Sequence, residues 1–573
     1  MRNFFKHHIS LFILVLLIVI ALAVRLYHID KIPPGPDWDE ASSVYNAFSI
    51  TTTGMDEWQQ KFPLSFPAFG DYKNALHIYF IAIAVKLFGL NLFSNRIVAV
   101  IIGSLLVIVW YFIAYAISEN RKISLITSLF ITFSPYGIFF SRIGDDGFML
   151  SSFFISLGLL LEILFIKKRR NFLFILCSVF LILAIFSYDL ARIVSPGLLG
   201  TIFIINYFIL KTDKKAFLIP LILSIATALV IFNSSNIGAF TSLNYTGVFG
   251  EKKGVVLDIN EFRDDEKNSF LSHLLYNKAT FFGIILTRNY IAHFGTDFLA
   301  NFKEQSIVAE SFYPPLYLIM LPFYYWGLFL LFDSLRKKEG RLVRILLVIL
   351  ILIAPVPSTI TEGAPSAHRY LGSFGTHEFL TAFGLYEVYK MILLQKGRRY
   401  SDSFISAFFV IYIYSLYLFA SFFFITYPRV YGKIYASTES LIGNTVKNNY
   451  NNYDYFIYSK KLTLFPYIYP LYYLQFPLQR YWSTRQYHQT PDGWYHVDSF
   501  DKFIFPDKLD DALFADQRLK NKKVALFLND EEINNIDVVL KKARERNYKI
   551  QKFKNKVVSH SGKKTLYLIT LTP

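Results

Sequence analysis

A mostly α-helical, multi-pass membrane protein with a small α/β domain at its C-terminal end is the fold class that three observations predict. Hydrophobic residues make up 54% of the 573 and charged residues 18%, with a mean hydropathy of +0.36. That is too apolar for a water-soluble chain of this length, and the apolar runs are long enough to cross a hydrocarbon core of about 30 Å. The runs fall at 9–26, 97–118, 123–140, 148–166, 171–187, 191–210, 216–232, 314–333, 343–360, 374–394 and 403–426, which predicts about eleven spans. From 428 onward the pattern changes. Short strand-like runs (DYFIYS, FDKFIF, KVALFLN, YKIQKF, TLYLITL) surround one helix-like stretch, EEINNIDVVLKKARER.

The first run follows MRNFFKHH and has no small-residue cleavage site behind it, so it reads as a retained signal anchor. A further run, His77–Leu90, is short, and the positive-inside rule decides its fate. If it does not cross, Arg121/Lys122, Lys167–Arg170, Lys211–Lys215, Arg336–Arg344 and Lys396–Arg399 all share the cytoplasmic side with the N-terminus. If it crosses, those five clusters turn outward. His77–Leu90 is therefore expected to lie on the outer face as an interfacial helix. The net charge of +17 is explained by this topology rather than by nucleic acid. The 59 Phe and 39 Tyr suit spans with aromatic ends. Cys177 is the only cysteine, which excludes a disulfide framework within the chain and a thiolate metal cluster.

This parity gathers the polar candidates on one side. Asp39 and Glu40 follow the first span, and Asp71 and Lys73 precede the interfacial helix. Carboxylates at a membrane face are costly unless they bind or catalyse something, and burial raises the pKa of a carboxyl towards that of a general base. In an extended loop, neighbouring Asp39 and Glu40 would point opposite ways, one to the reactants and one to brace the loop or a metal. The competing reading is a solvated loop in which Asp39 caps a helix starting at Glu40. Ser141–Asp146 carries Arg142, Asp145 and Asp146, a set that suits a divalent ion or a phosphate, or an ordinary charged turn, which the spacing alone favours. In Ser187–Arg192 a simple Asp189–Arg192 pair is the favoured reading. Thr359–Tyr370 offers His368 and Arg369 as phosphate grips or interfacial anchors. Lys73 is either a point charge for a lipid phosphate or a snorkelling side chain. The long outer loop 234–312 is partly amphipathic and helical in pattern.

PDWDEASSVYNA, FGDYKNALHIYFIAIAVKLFGLNLFSNR, FSPYGIFFSRIGDDGFML and PSTITEGAPSAHRYLG, in that order, together resemble the GT-C superfamily of glycosyltransferases that use polyprenyl-phosphate sugars. The nearest branch is similar to bacterial relatives of protein O-mannosyltransferases and aminoarabinose (lipid A) transferases. The resemblance implies a GT-C-type bundle over 1–427, with 27–96 as the first outer catalytic loop and 428–573 as an extracytoplasmic α/β domain. It implies an inverting hexosyl or pentosyl transfer from a lipid phosphate to an acceptor hydroxyl on the outer face of the plasma (inner) membrane. The acceptor is a protein, a lipid or a cell-envelope glycan. Asp39 matches the general base and Glu40 its partner, Lys73 a lysine on the lipid phosphate, and Arg142 with Asp145/Asp146 the second outer loop. Lys73 is followed by Asn74-Ala75 where related sequences have Pro-Pro. Arg192, His368 and Arg369 are assigned to the phosphate from their outer-face positions. A divalent metal ion, Mg2+ or Mn2+, is the implied cofactor at Asp145 and Asp146, with no nucleotide cofactor. A transporter or flippase, or an inactive GT-C-like assembly subunit, is the alternative. Transporters place ionisable groups at the bilayer midplane, whereas these spans hold almost none apart from Glu162.

Overall fold

The computed structural model describes residues 2–69, 71–144, 146–233, 247–248, 255–265, 269–300, 313–430, 437–463, 465–490, 494–509, 516–559 and 562–573. Asp145 and much of 234–312 lie outside them. Among the described residues, seven helices are long and apolar enough to cross a membrane: His8–Leu26, Leu92–Ser118, Phe148–Lys168, Ala191–Ile209, Lys214–Ile231, Arg341–Thr359 and Arg398–Thr426. Three shorter apolar helices, Ala75–Phe88, Asn171–Ile185 and Leu318–Ser334, accompany them. The chain is thus a multi-pass membrane protein by helix length and composition. The run expected at 123–140 is not one helix. It breaks at Phe133 into Arg121–Thr132 and Pro135–Phe140, because Ser134 caps a new helix through Gly137 N–H and Pro135 starts it.

The residues divide into two compact units. The first contains Met1–Tyr27, Ala99–Ser141 and Gly147–Ala420. Its interior is built from close helix pairs. Leu321–Ser334 meets Thr376–Lys396 where Gly327 faces Gly384, and a Cβ on either glycine would overlap a carbonyl oxygen of the partner helix. Only glycine lets the two backbones come that near, as is usual where lipid supplies no hydrophobic drive between helices. The buried Arg25 guanidinium donates to the carbonyls of Thr132 and Ile131, at 3.2 and 3.1 Å.

The second unit contains His28–Val98, Arg142–Asp146 and Ser421–Pro573. Its first segment forms the helix Trp38–Thr53, the hairpin β1 (Ser65–Ala68) and β2 (Asp71–Asn74), and the helix Ala75–Phe88. Its last segment carries β3 (Tyr455–Tyr458), β4 (Gln486–Gln489), β5 (Tyr495–Phe500), β6 (Phe503–Ile504), β7 (Val524–Leu528), β8 (Lys549–Ser559) and β9 (Gly562–Thr572). These make one seven-stranded mixed sheet in the order β4-β5-β6-β3-β7-β9-β8. FDKFIF, expected as one strand, is instead the tight connection between β5 and β6, paired Phe500 to Phe503. The helix-like stretch is interrupted at Ile536 into Asp530–Asn535 and Asp537–Glu545. Val539, Leu540 and Ala543 lay its apolar face on Leu526, Ile569 and Leu571 of the sheet. Tyr45 donates to Phe476 O at 2.9 Å, and Trp482 Nε1 to Glu57 O at 3.0 Å, so the segment after the first span is knitted to the C-terminal segment.

Candidate active site

Asp39 and Glu40 stand in the first turn of a helix, not in an extended loop. The helix Trp38–Thr53 is capped by Asp37, whose Oδ1 accepts Glu40 N–H at 2.7 Å, so Asp37 and not Asp39 is the cap. It ends at Gly54, where φ is +72° and the N–H closes on Ile50 O. Adjacent positions on a helix point about 100° apart, so the two acids diverge. Glu40 turns inward and is fully buried, while the Asp39 side chain stays 22% exposed. The buried Asp37 carboxyl is pushed well above the usual carboxylate range, first by burial and then by the Glu40 and Asp39 charges.

The inward acid meets a cation that the sequence reading passed over. Arg96 grips Glu40 in a bidentate pair, Nε to Oε1 and NH2 to Oε2, each at 2.7 Å, with both side chains fully buried. Its NH1 donates to Ile29 O at 2.9 Å and Pro33 O at 2.6 Å. Glu40 Oε1 also accepts Gly144 N–H at 2.9 Å, and His77 Nε2 lies 3.0 Å from Gly144 O. Gly144 has no room for a side chain: a Cβ there would overlap the Asn95 side-chain amide. Glu40 therefore fastens the stretch after the first span to the Arg142–Asp146 segment. An arginine at the mouth of an apolar helix, in NLFSNR, was the available signal for Arg96.

The outward acid meets Lys73. Residues Ser65–Asn74 fold back as a hairpin with Phe66 opposite Lys73, which places the lysine on β2 with 7% of its surface exposed. Its Nζ is 2.7 Å from Asp39 Oδ1 and 2.7 Å from Asp146 Oδ1. Two carboxylates that would repel each other thus converge on one ammonium. Arg142 is fully buried, donates to Ile32 O at 2.9 Å, and lies over Phe423 and Phe424 at 5.7 and 5.3 Å. The structure therefore assembles Asp39, Glu40, Lys73, Arg142 and Asp146 within one unit.

Asp145 lies outside the described residues, and Arg192, His368 and Arg369 belong to the other unit. Arg192 pairs with Asp189 at 2.9 Å, the simple pairing the sequence favoured. Tyr188 donates to His368 O at 3.0 Å, which joins the Ser187–Arg192 and Thr359–Tyr370 segments. The His368 ring stacks on Phe140 at 5.7 Å, and Arg369 NH1 donates to Glu362 O at 2.8 Å. His368 and Arg369 sit in a single 3-10 turn, Ala367–Arg369.

Of the two acids expected to hold a metal ion, Asp145 lies outside the described residues and Asp146 is bound to Lys73. Lys73 Nζ occupies the point on which Asp39 and Asp146 converge. Among the described residues, no group of three or more His, Cys, Asp or Glu side chains is placed to hold an ion. As placed, Asp39 and Asp146 share one ammonium cation.

Membrane-length helices with a sheet built from the C-terminal segment give a fold of the GT-C type. ArnT from Cupriavidus metallidurans in its apo state is similar over 96% of this chain and 97% of that one, with a TM-score of 0.50 at 13% identity. The apo oligosaccharyltransferase of Archaeoglobus fulgidus is similar over 82% of this chain, with a TM-score of 0.50 at 12% identity, and this chain spans 64% of its length. No family model matches the sequence, and no curated protein does. Identities this low speak for the fold.

Proposed function

We propose that the protein is a membrane glycosyltransferase that moves a sugar from a polyprenyl-phosphate donor to an acceptor hydroxyl at the outer face of the plasma membrane, with inversion. The single observation that carries this reading is the Asp39–Lys73–Asp146 arrangement in a chain of membrane-length helices. The likeness in fold to an enzyme named oligosaccharyltransferase supports the class of reaction.

The chemistry follows from the two jobs such a site must do. The leaving group is a phosphate, which a compact ammonium stabilises electrostatically. Lys73 is that cation. As the lipid phosphate draws Lys73 towards itself, the ammonium releases Asp39, and the Asp39 carboxylate takes the proton of the acceptor hydroxyl. The hydroxyl oxygen then forms its bond to the anomeric carbon on the face opposite the phosphate. The bond from that carbon to the phosphate oxygen breaks, and the electron pair leaves with the lipid phosphate. Asp146 keeps its contact with Lys73 as the ammonium turns from Asp39 to the phosphate. Glu40 and Arg96 position the helix that presents Asp39 and do not touch substrate.

Purified protein given a radiolabelled polyprenyl-phosphate sugar and a membrane acceptor fraction tests this. Asp39→Asn should lower transfer by about 10²–10⁴-fold, the ordinary worth of a general base, while leaving donor binding intact. Full transfer by that variant removes Asp39 from the mechanism.

A further inference from the structure

Far from these acids in the chain, the edge of the C-terminal sheet carries a second polar cluster. β4 and β5 pair antiparallel with His488 directly opposite His496. Asp498 lies two residues beyond His496 on β5, so the period of two places it on the same face. The imidazole rings are stacked, with centroids 5.6 Å apart and planes inclined by 24°. Asp498 Oδ2 lies 2.7 Å from His488 Nδ1. The other carboxylate oxygen, Oδ1, is held 2.9 Å from Lys460 Nζ, and Lys460 also binds Asp507. The His488 side chain is 51% exposed, so the cluster is open to solutes.

We propose that His488 and His496 form a binding site for a borderline transition-metal ion such as Cu2+ or Zn2+, with Asp498 orienting His488. Imidazole suits these ions. A metal-bound histidine usually donates its second ring N–H to a carboxylate, which fixes the tautomer and leaves the other nitrogen for the metal. That arrangement is already present: with Nδ1 committed to Asp498, Nε2 of His488 is the nitrogen left to coordinate. Opposed side chains on paired strands stand about 4.5–5.5 Å apart at Cβ, so small rotations bring two ring nitrogens onto one ion. The site supplies two protein ligands, and water completes the shell. Lys460 repels a cation here, but it is occupied by Asp498 and Asp507, which offset its charge locally.

The position gives the site a consequence. On the other face of the same hairpin, Tyr487 and Tyr495 lie 5.2 and 4.7 Å from Trp58, in the segment that follows the helix bearing Asp39. An ion bridging β4 to β5 staples an edge strand whose four residues are all exposed and stiffens the support under Trp58.

The test uses full-length protein in detergent, without a polyhistidine tag, in a background of His7→Ala, His8→Ala, His28→Ala, His273→Ala and His560→Ala to remove competing imidazoles. Isothermal titration with CuCl2 or ZnCl2 should show one saturable site, tighter for Cu2+ by the Irving–Williams order. His488→Ala/His496→Ala should abolish that site. Asp498→Asn, which keeps the shape and removes the charge, should weaken it by about 10–100-fold. The Cu2+ electron paramagnetic resonance spectrum should show two equatorial imidazole nitrogens in the parent and one in each single histidine variant. Unchanged titration in the double variant, or a nitrogen count that does not fall in the single variants, overturns the proposal.

Discussion

Replacing Arg96 by Met probes the buried pair behind the candidate site. Methionine has nearly the reach of arginine and fills most of its space, but it strands the Glu40 carboxylate. That carboxylate is fully buried, and the Gly144 N–H at 2.9 Å cannot by itself make up for the lost guanidinium. Breaking a buried ion pair from one side costs about 3–5 kcal/mol, because the surviving charge has no water and no counter-charge. Ile29 O and Pro33 O also lose donors at 2.9 and 2.6 Å, each worth about 1–3 kcal/mol if water does not reach it. Arg96→Met should therefore destabilise the protein by at least about 3 kcal/mol. Removing both charges in Glu40→Met/Arg96→Met should recover much of that, since apolar groups often replace a buried ion pair at little cost. The assay is denaturant-induced unfolding in mixed micelles, followed by tryptophan fluorescence for the four members of a double-mutant cycle. The refuting result is a loss of less than about 1 kcal/mol in Arg96→Met, or a double variant no more stable than that single variant. Either outcome would mean that water or another cation already serves Glu40.

Two further outcomes follow from the same unit. Lys73→Met should raise the KM for the lipid donor and lower kcat for sugar transfer by about 10-fold or more, while Lys73→Arg, keeping the charge, should retain part of both; equal kinetics for all three would separate Lys73 from the phosphate. Glu57 is fully buried, and burial pushes its carboxyl up from 4.5 to about 7, with the nearby Asp56 charge adding to the rise and Asn46 and Arg485 opposing it. The folded value lies above the unfolded one, so its stabilising contribution is complete below about pH 4.5 and is lost as pH rises through about 7. At roughly 1.4 kcal/mol per pH unit, the change is about 3 kcal/mol. Glu57→Gln should flatten the stability profile across that window and leave the protein more stable than the parent at pH 8; an unchanged slope in urea or detergent unfolding would count against the burial argument.

Much of this was readable from the chain because it rests on local composition. Long apolar runs can only be buried in lipid or in one another, so the multi-pass class followed from hydropathy. The change to alternating short runs after 428 announced a sheet, and the Asp–Glu pair behind the first span marked two acids that the structure pairs with Lys73 and Arg96. The break at Phe133 was missed because Ser-Pro within an apolar run was weighed by hydropathy and not by capping. The helix at Asp39 and Glu40 was weighed only as the competing reading, and with its start two residues too late. The cap sits two residues earlier, at Asp37, and moving a helix start by two positions changes which acid faces inward.

What the sequence by itself determined is the class: which stretches leave water, where acids gather, and that one cysteine forms no framework. Only the tertiary structure decided the partners. Glu40 meets an arginine 56 residues away and an amide 104 residues away, and Lys73 reaches an aspartate 73 residues on. No periodicity connects such positions, because it reports the face on which a residue lies and nothing about what packs there. The pairing is set when desolvated charges must each find a counter-charge within a few ångströms, and that condition exists only in the folded chain.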